Sequence, residues 1–241
     1  MPSVFSLIGR SWEFTWKQAV LFRIIFWLLI LPSLAINLLE TLTGTLHIFP
    51  ETVEISVLIL LVDLILSVVI LWGSACVIII GRRLLRKKAG RSRSSFPAVR
   101  LEASHFVMPL LFTGILRACF TIFWGLLLIV PGIVYALRTS FCNLVVIFER
   151  KSFRKALRRS KVITRGRLKW IFWYLLALLV ILYAPLNVCL GLLGGFAQNR
   201  GINFLVALDL ADAVLNALAS VLFSFSLILL YGEFTKHTNI D

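Results

Sequence analysis

The chain has 241 residues, of which 60% are hydrophobic and only 15% charged, and its mean hydropathy is +0.96. A water-soluble domain carries roughly 25% charged residues to cover its surface, so the composition excludes an ordinary soluble globule and points to lipid as the solvent. The net charge of +14 would suit nucleic acid, but the cations concentrate in two short segments between apolar runs, and no nucleic-acid partner is expected.

A bilayer core about 30 Å thick takes about 20 apolar residues per helix. Helix is favoured there because backbone N–H and C=O groups find no water. Period-2 alternation is missing, which argues against a barrel. The predicted fold is therefore all-α: one polytopic membrane bundle of six transmembrane helices over 1–241, with two short cytoplasmic interfacial amphipathic helices. In chain order the spans fall at about 20–39, 55–80, 106–130, 133–148, 170–193 and 204–231. Arg10, Lys17 and Arg23 ahead of the first run resemble the start of a signal peptide. That run continues through Leu39, and its retention as a span is expected.

Charge orients the spans. Residues 82–104 hold eight cations and one acid, and residues 149–169 hold ten cations and one acid, together 18 of the 25 Lys and Arg. Residues 40–54 hold three acids and no Lys or Arg. Lys and Arg accumulate in cytoplasmic loops, so both basic segments are expected inside. The expected location is the plasma (inner) membrane, with N- and C-termini cytoplasmic. Two basic segments on one side require an even number of crossings between them. Pro131-Gly132 is a turn signal, so residues 106–148 read as a tight helical hairpin with its tip near the outer face and a short second arm.

An internal repeat appears at an offset of 149. Residues 7–16 read LIGRSWEFTW and residues 156–165 read ALRRSKVITR, aligning Arg10, Ser11 and Thr15 with Arg159, Ser160 and Thr164. Aromatic residues follow both copies, and the next span holds Pro32 in one and Pro185 in the other. In the second copy Phe153, Ala156, Leu157, Ser160 and Ile163 or Thr164 recur at helical spacing. Lys155, Arg158, Arg159, Lys161 and Arg165 fall largely off that stripe, as candidate lipid-headgroup contacts of an interfacial helix. The first copy carries Phe5, Ile8 and Trp12 on one side. An anchor that only sets orientation is the plainer reading of both.

The order LLLIVPGIVYALRTSF, Glu149, FRKALRRSKVITRGRLKWIF resembles the YciC-like bacterial integral membrane family. It is also similar to the membrane domain fused to some glycerophosphoryl diester phosphodiesterases. The resemblance is densest over residues 120–173, and Arg165 replaces the family's usual Lys. It implies six helices in a plasma membrane and supplies no catalytic residues.

Ionisable residues inside spans cost about 2.5–3.5 kcal/mol each at mid-membrane and usually face a partner. Arg23 can snorkel to an end. Asp63, Arg117, Arg138, Asp209 and Asp212 form a candidate polar cluster, with the two arginines expected to face the three aspartates. Such a cluster either lines a wet pocket for a cation, proton or polar lipid group, or pins helices together. Asn143 and Asn187 are candidates for interhelical hydrogen bonds. Cys76, Cys119, Cys142 and Cys189 read as small buried apolar residues. Ser92, Ser94 and Ser95 read as a helix cap before Phe96-Pro97.

No HExxH, GxSxG, P-loop or Cys/His metal spacing is present, and neither catalysis nor a cofactor is expected. The sequence is most consistent with an envelope- or lipid-associated accessory or scaffold protein. Its expected partners are membrane lipids, with self-association or another membrane protein as further possibilities. The alternative is a small secondary transporter or ligand-binding membrane protein built on the polar cluster and a parallel repeat.

Overall fold

The computed structural model describes residues 4–41, 53–86, 95–197 and 202–238. Lys87, Lys88, Arg91, Arg93, Ser92, Ser94, His47 and Arg200 lie outside the described residues. The described chain is all-α, without strands. Its helices are α1 (Val4–Lys17), α2 (Ala19–Glu40), α3 (Val53–Arg86), α4 (Phe96–Leu127), α5 (Ile129–Arg138), α6 (Cys142–Glu149), α7 (Phe153–Ile163), α8 (Leu168–Ala197) and α9 (Ile202–Thr238). Six stretches are long and apolar enough to cross a membrane: α2, α3, α4, Ile129–Glu149, α8 and α9. The chain is a polytopic membrane bundle, as its composition requires.

Packing is dense at one end and loose at the other. On α3 the residues from Ala75 to Ile80 are buried, whereas Val57 to Ile65 are largely exposed. On α9 Val221, Phe225, Ile228 and Tyr231 are buried, whereas Phe204, Val206 and Leu210 are exposed. The basic residues Arg82 and Arg83 follow the dense part of α3, so the compact end is the basic end. The splayed apolar surface is the kind lipid covers, since an unhydrated patch of this size is rare in water.

Glycine lets the core helices approach. A Cβ on Gly73 would lie 2.8 Å from the Leu28 carbonyl oxygen and 2.9 Å from the Leu28 Cβ. That contact falls where α2 is π-helical, Ile25–Ile30, just ahead of Pro32. Proline cannot donate to the carbonyl four residues back, which here is that of Leu28, and the widened turn absorbs the mismatch.

The hairpin forms, but its turn is not where Pro-Gly suggested. The chain breaks at Leu128 (φ −159°, ψ 132°), and Pro131 and Gly132 are already inside α5. Pro131 sits in the first turn, where a backbone N–H has no helical partner, so proline removes an unsatisfied donor from an apolar setting. Gly132 serves close approach: a Cβ there would lie 2.8 Å from the Gly125 Cα on the opposite arm. The arms run antiparallel, with Phe120 against Tyr135 and the Arg117 guanidinium reaching the Ala136 carbonyl at 3.5 Å.

The second arm is also not one helix. Thr139 Oγ1 donates back to the Tyr135 carbonyl at 2.9 Å, a bond that bends helices, and the helix stops at Arg138. Then, after a turn at residues 139–141, α6 lies buried at the compact end. Phe141, just before it, and Phe148, near its far end, both pack on the Tyr231 ring, at 6.0 and 5.2 Å. The straight part of the arm is α5, about 15 Å long at 1.5 Å per residue, half the hydrocarbon thickness.

Candidate functional site

The five intramembrane charges do not form one cluster. Asp209 and Asp212 are brought together, but with amide and hydroxyl partners. Asn37 Nδ2 donates to Asp212 Oδ2 at 2.8 Å and Thr41 Oγ1 donates to Asp209 Oδ2 at 2.8 Å. Asn216 Nδ2 donates to Asp212 Oδ1 at 2.6 Å. This geometry follows from helical spacing: Asn37 and Thr41 are one turn apart on α2, and Asp209 and Asp212 share a face of α9. A cavity of about 470 Å³ opens beside them in the splayed end, with Glu40, Leu190 and Leu208 in its wall.

The other three are elsewhere. Arg117 turns into its own hairpin, toward the Ala136 carbonyl and, at 3.9 Å, Cys142 Sγ. The Arg138 side chain is exposed, and it is the Arg138 backbone carbonyl that is used, accepting from Ser160 Oγ at 2.9 Å and Thr164 Oγ1 at 3.3 Å. Asp63 sits on the exposed half of α3, and its Oδ1 is buried without a hydrogen-bond partner. Among the described residues no Arg–Asp pair links these groups, so the expected ion-pair cluster is corrected. The hairpin's own register consumes the arginine that was to reach across. Asn187 bonds its own helix, donating to the Tyr183 carbonyl, and Asn143 accepts from its neighbour Cys142. Cys76 and Cys142 are buried, but Cys119 and Cys189 are exposed.

At the basic end the repeat acquires a physical meaning. Of the residues shared by the two copies, the Ser and Thr pairs lie on the docking face, while Arg10 is exposed. Leu7, Ser11 and Thr15 are buried on α1, and Ala156, Ser160 and Thr164 are buried at the matching positions of α7 and its C-terminal end. Ser11 Oγ meets Ser226 Oγ of α9 at 3.1 Å and donates to the Leu7 carbonyl. The same offset separates the spans that follow, since α2 begins at Ala19 and α8 at Leu168. The inner faces of both amphipathic helices therefore rest on protein rather than on lipid.

The outer faces differ. On α1, Phe5, Trp12 and Trp16 are exposed, and Trp12, Trp16 and Phe22 form a chain of ring contacts at 5.5 and 5.3 Å. On α7, Lys155 and Arg158 are exposed, with Arg165 beyond its end. These three remain headgroup candidates, while the other two turn inward. Arg159 Nε donates to Glu149 at 2.9 and 3.1 Å, and Lys161 Nζ lies 4.5 Å from the centre of the Tyr135 ring. Phe153, expected on the apolar stripe, is half exposed against Phe112.

Glu149 is a hub that sequence reasoning left unassigned. It accepts from Lys151 Nζ at 2.7 Å, Arg159 Nε and Tyr231 Oη at 3.1 Å, tying α6, α7 and α9 together. The signal was present as the one acid among ten cations of residues 149–169. Arg150, next to it, holds the left-handed conformation (φ 54°, ψ 30°) at the end of α6, a place where glycine is usual and other residues cost about 1–2 kcal/mol. Beside it a cleft of about 320 Å³ lies between α4, α6 and the α6–α7 linker. Among the described residues no group of three or more His, Cys, Asp or Glu could hold a metal.

No family model, curated protein or solved structure matches the chain at a significant level.

Proposed function

We propose that this chain is a non-enzymatic, lipid-associated accessory or scaffold protein of the plasma membrane, with both termini and both basic segments cytoplasmic. Its resemblance to the YciC-like family is part of that reading. The observation that carries it is the paired docking of α1 and α7. Each helix buries its Ser and Thr against the bundle and turns aromatic or cationic side chains outward at the compact end. Interfacial tryptophans anchor at headgroup depth, and each cation near an anionic surface is worth about 1 kcal/mol.

A protein–protein role finds support in α8, which has few buried residues along its length. Asn187, Gly191 and Gly195 recur there at four-residue spacing on exposed surface, a pattern suited to close helix association.

Native mass spectrometry of the purified protein tests the reading. The expected result is preferential retention of phosphatidylglycerol over phosphatidylcholine with the same acyl chains. Replacing Lys155, Arg158 and Arg165 with Ala should reduce that retention roughly a hundredfold, from three cations at about 1 kcal/mol each. Equal retention of both lipids by the wild-type protein sinks it. Single-cysteine labelling of residues 94 and 152 from one face of sealed vesicles tests the topology, and labelling from opposite faces overturns it.

A second reading, binding of a small polar ligand or transport, draws on the cavity beside Asn37, Thr41, Asp209 and Asp212. Modification of Asp209→Cys by a membrane-impermeant thiol reagent would favour it, and complete protection would count against it.

A further inference from the structure

We infer that the cleft between α4, α6 and the α6–α7 linker is a headgroup site for an anionic glycerophospholipid. This deepens the lipid-associated reading and rests on it. The cleft has two kinds of wall. Phe106, Pro109 and Val146 form an apolar floor. His105, Arg150, Lys151 and Ser152 form a polar rim at the compact, basic end of the bundle. A phosphate diester carried on acyl chains matches both walls, whereas a soluble anion would leave the floor unused.

The rim groups are available. Among the described residues the His105, Arg150 and Ser152 side chains make no hydrogen bond or ion pair to protein. The carboxylate facing the cleft, Glu102, is held by Arg83. Glu149 behind the linker is held by Arg159 and Lys151. Three cations hold the two carboxylates, and Arg150 at the rim adds a further positive charge. Arg150 holds the left-handed conformation as the C-cap of α6, as Phe153 does at the start of α7, and glycine at 150 would fit with less strain. Arg150 lines the cleft and its side chain is exposed, so its guanidinium can grip a phosphate there through two parallel N–H bonds.

The site makes stability and binding move in opposite directions, and that is its test. Arg150→Gly relieves the backbone and removes the cation. The variant should keep or raise the thermal midpoint of the full-length protein in detergent, by up to about 2–4 °C. It should bind phosphatidylglycerol about tenfold more weakly than wild type, the loss expected for one charge-assisted phosphate contact. His105→Ala should weaken the same lipid by a smaller factor, and glycerol 3-phosphate or inorganic phosphate should compete poorly. Unchanged phosphatidylglycerol affinity in Arg150→Gly, with loss in the Lys155/Arg158/Arg165 variant, overturns the cleft and leaves the broader reading intact. Displacement of the lipid by equimolar inorganic phosphate also overturns it, assigning the cleft to a soluble anion. A wild-type protein that does not prefer phosphatidylglycerol to phosphatidylcholine overturns both together.

Discussion

The two copies of the repeat use one local grammar and end in different places. In the first, α1 docks through Ser11 on α9, and the following span α2 lies in the core with Leu21, Ile24 and Leu28 buried. In the second, α7 docks through Ser160 on the Arg138 carbonyl, and the following span α8 runs along the outside with Trp173, Val180, Val188 and Leu192 exposed. The shared Ser and Thr pairs touch protein in both copies, while most outward positions diverge. A repeat therefore preserves the docking contact while leaving each outer face free to specialise, aromatic on α1 and cationic on α7.

The largest expected effect separates the two spans. Gly73→Leu drives a side chain into the Leu28 backbone, which cannot rotate away, and should cost about 3 kcal/mol, a fall of roughly 6–12 °C in thermal midpoint. Gly191→Leu on α8, where a Cβ meets nothing within 4 Å, should leave the midpoint of the monomer unchanged. Equal losses would erase the distinction between a core span and a peripheral one.

Next come the docking serines. Ser160→Ala leaves the Arg138 carbonyl with the longer Thr164 bond and should cost about 1–2 kcal/mol. Ser11→Ala should cost less, about 0.5–1 kcal/mol, because the Ser226 hydroxyl can rotate to another acceptor. The reverse order in chemical or thermal denaturation would show that α1, not α7, is the tighter dock. Asp63→Leu removes a buried unpaired oxygen and should raise stability by about 1 kcal/mol. Because Asp63 and Arg138 make no contact, Asp63→Ala and Arg138→Ala should add within about 0.3–0.5 kcal/mol, and a larger coupling would restore the ion pair. Smallest of all, the Lys155→Ala/Arg158→Ala/Arg165→Ala protein should keep its stability within about 0.5 kcal/mol, since those side chains face outward.

Much of this was legible in the residues, and the failures share one cause. Span number, the hairpin and the Ser160 stripe follow from apolar length and helical spacing, which are properties of a segment by itself. The Asp209/Asp212 pair was visible as i and i+3, and its Asn37 and Thr41 partners could have been found as a polar i, i+4 pair in an apolar span. Arg159 and Lys161 looked like headgroup contacts because periodicity reports which face a residue occupies, not that Glu149 and the Tyr135 ring wait there. The ion-pair cluster failed for the same reason, since similar depth in the membrane does not bring two helices together.

The sequence by itself determined that this is a helical membrane protein with six apolar stretches and a duplicated amphipathic helix, because lipid forces each segment to satisfy its own backbone and hydrophobicity acts residue by residue. Only the tertiary structure decided that the hairpin breaks at Leu128, that Phe141 and Phe148 meet on the Tyr231 ring, and that Arg150 is held left-handed beside a cleft. Those outcomes depend on which surfaces meet, and a meeting of surfaces distant along the chain leaves no local period to read.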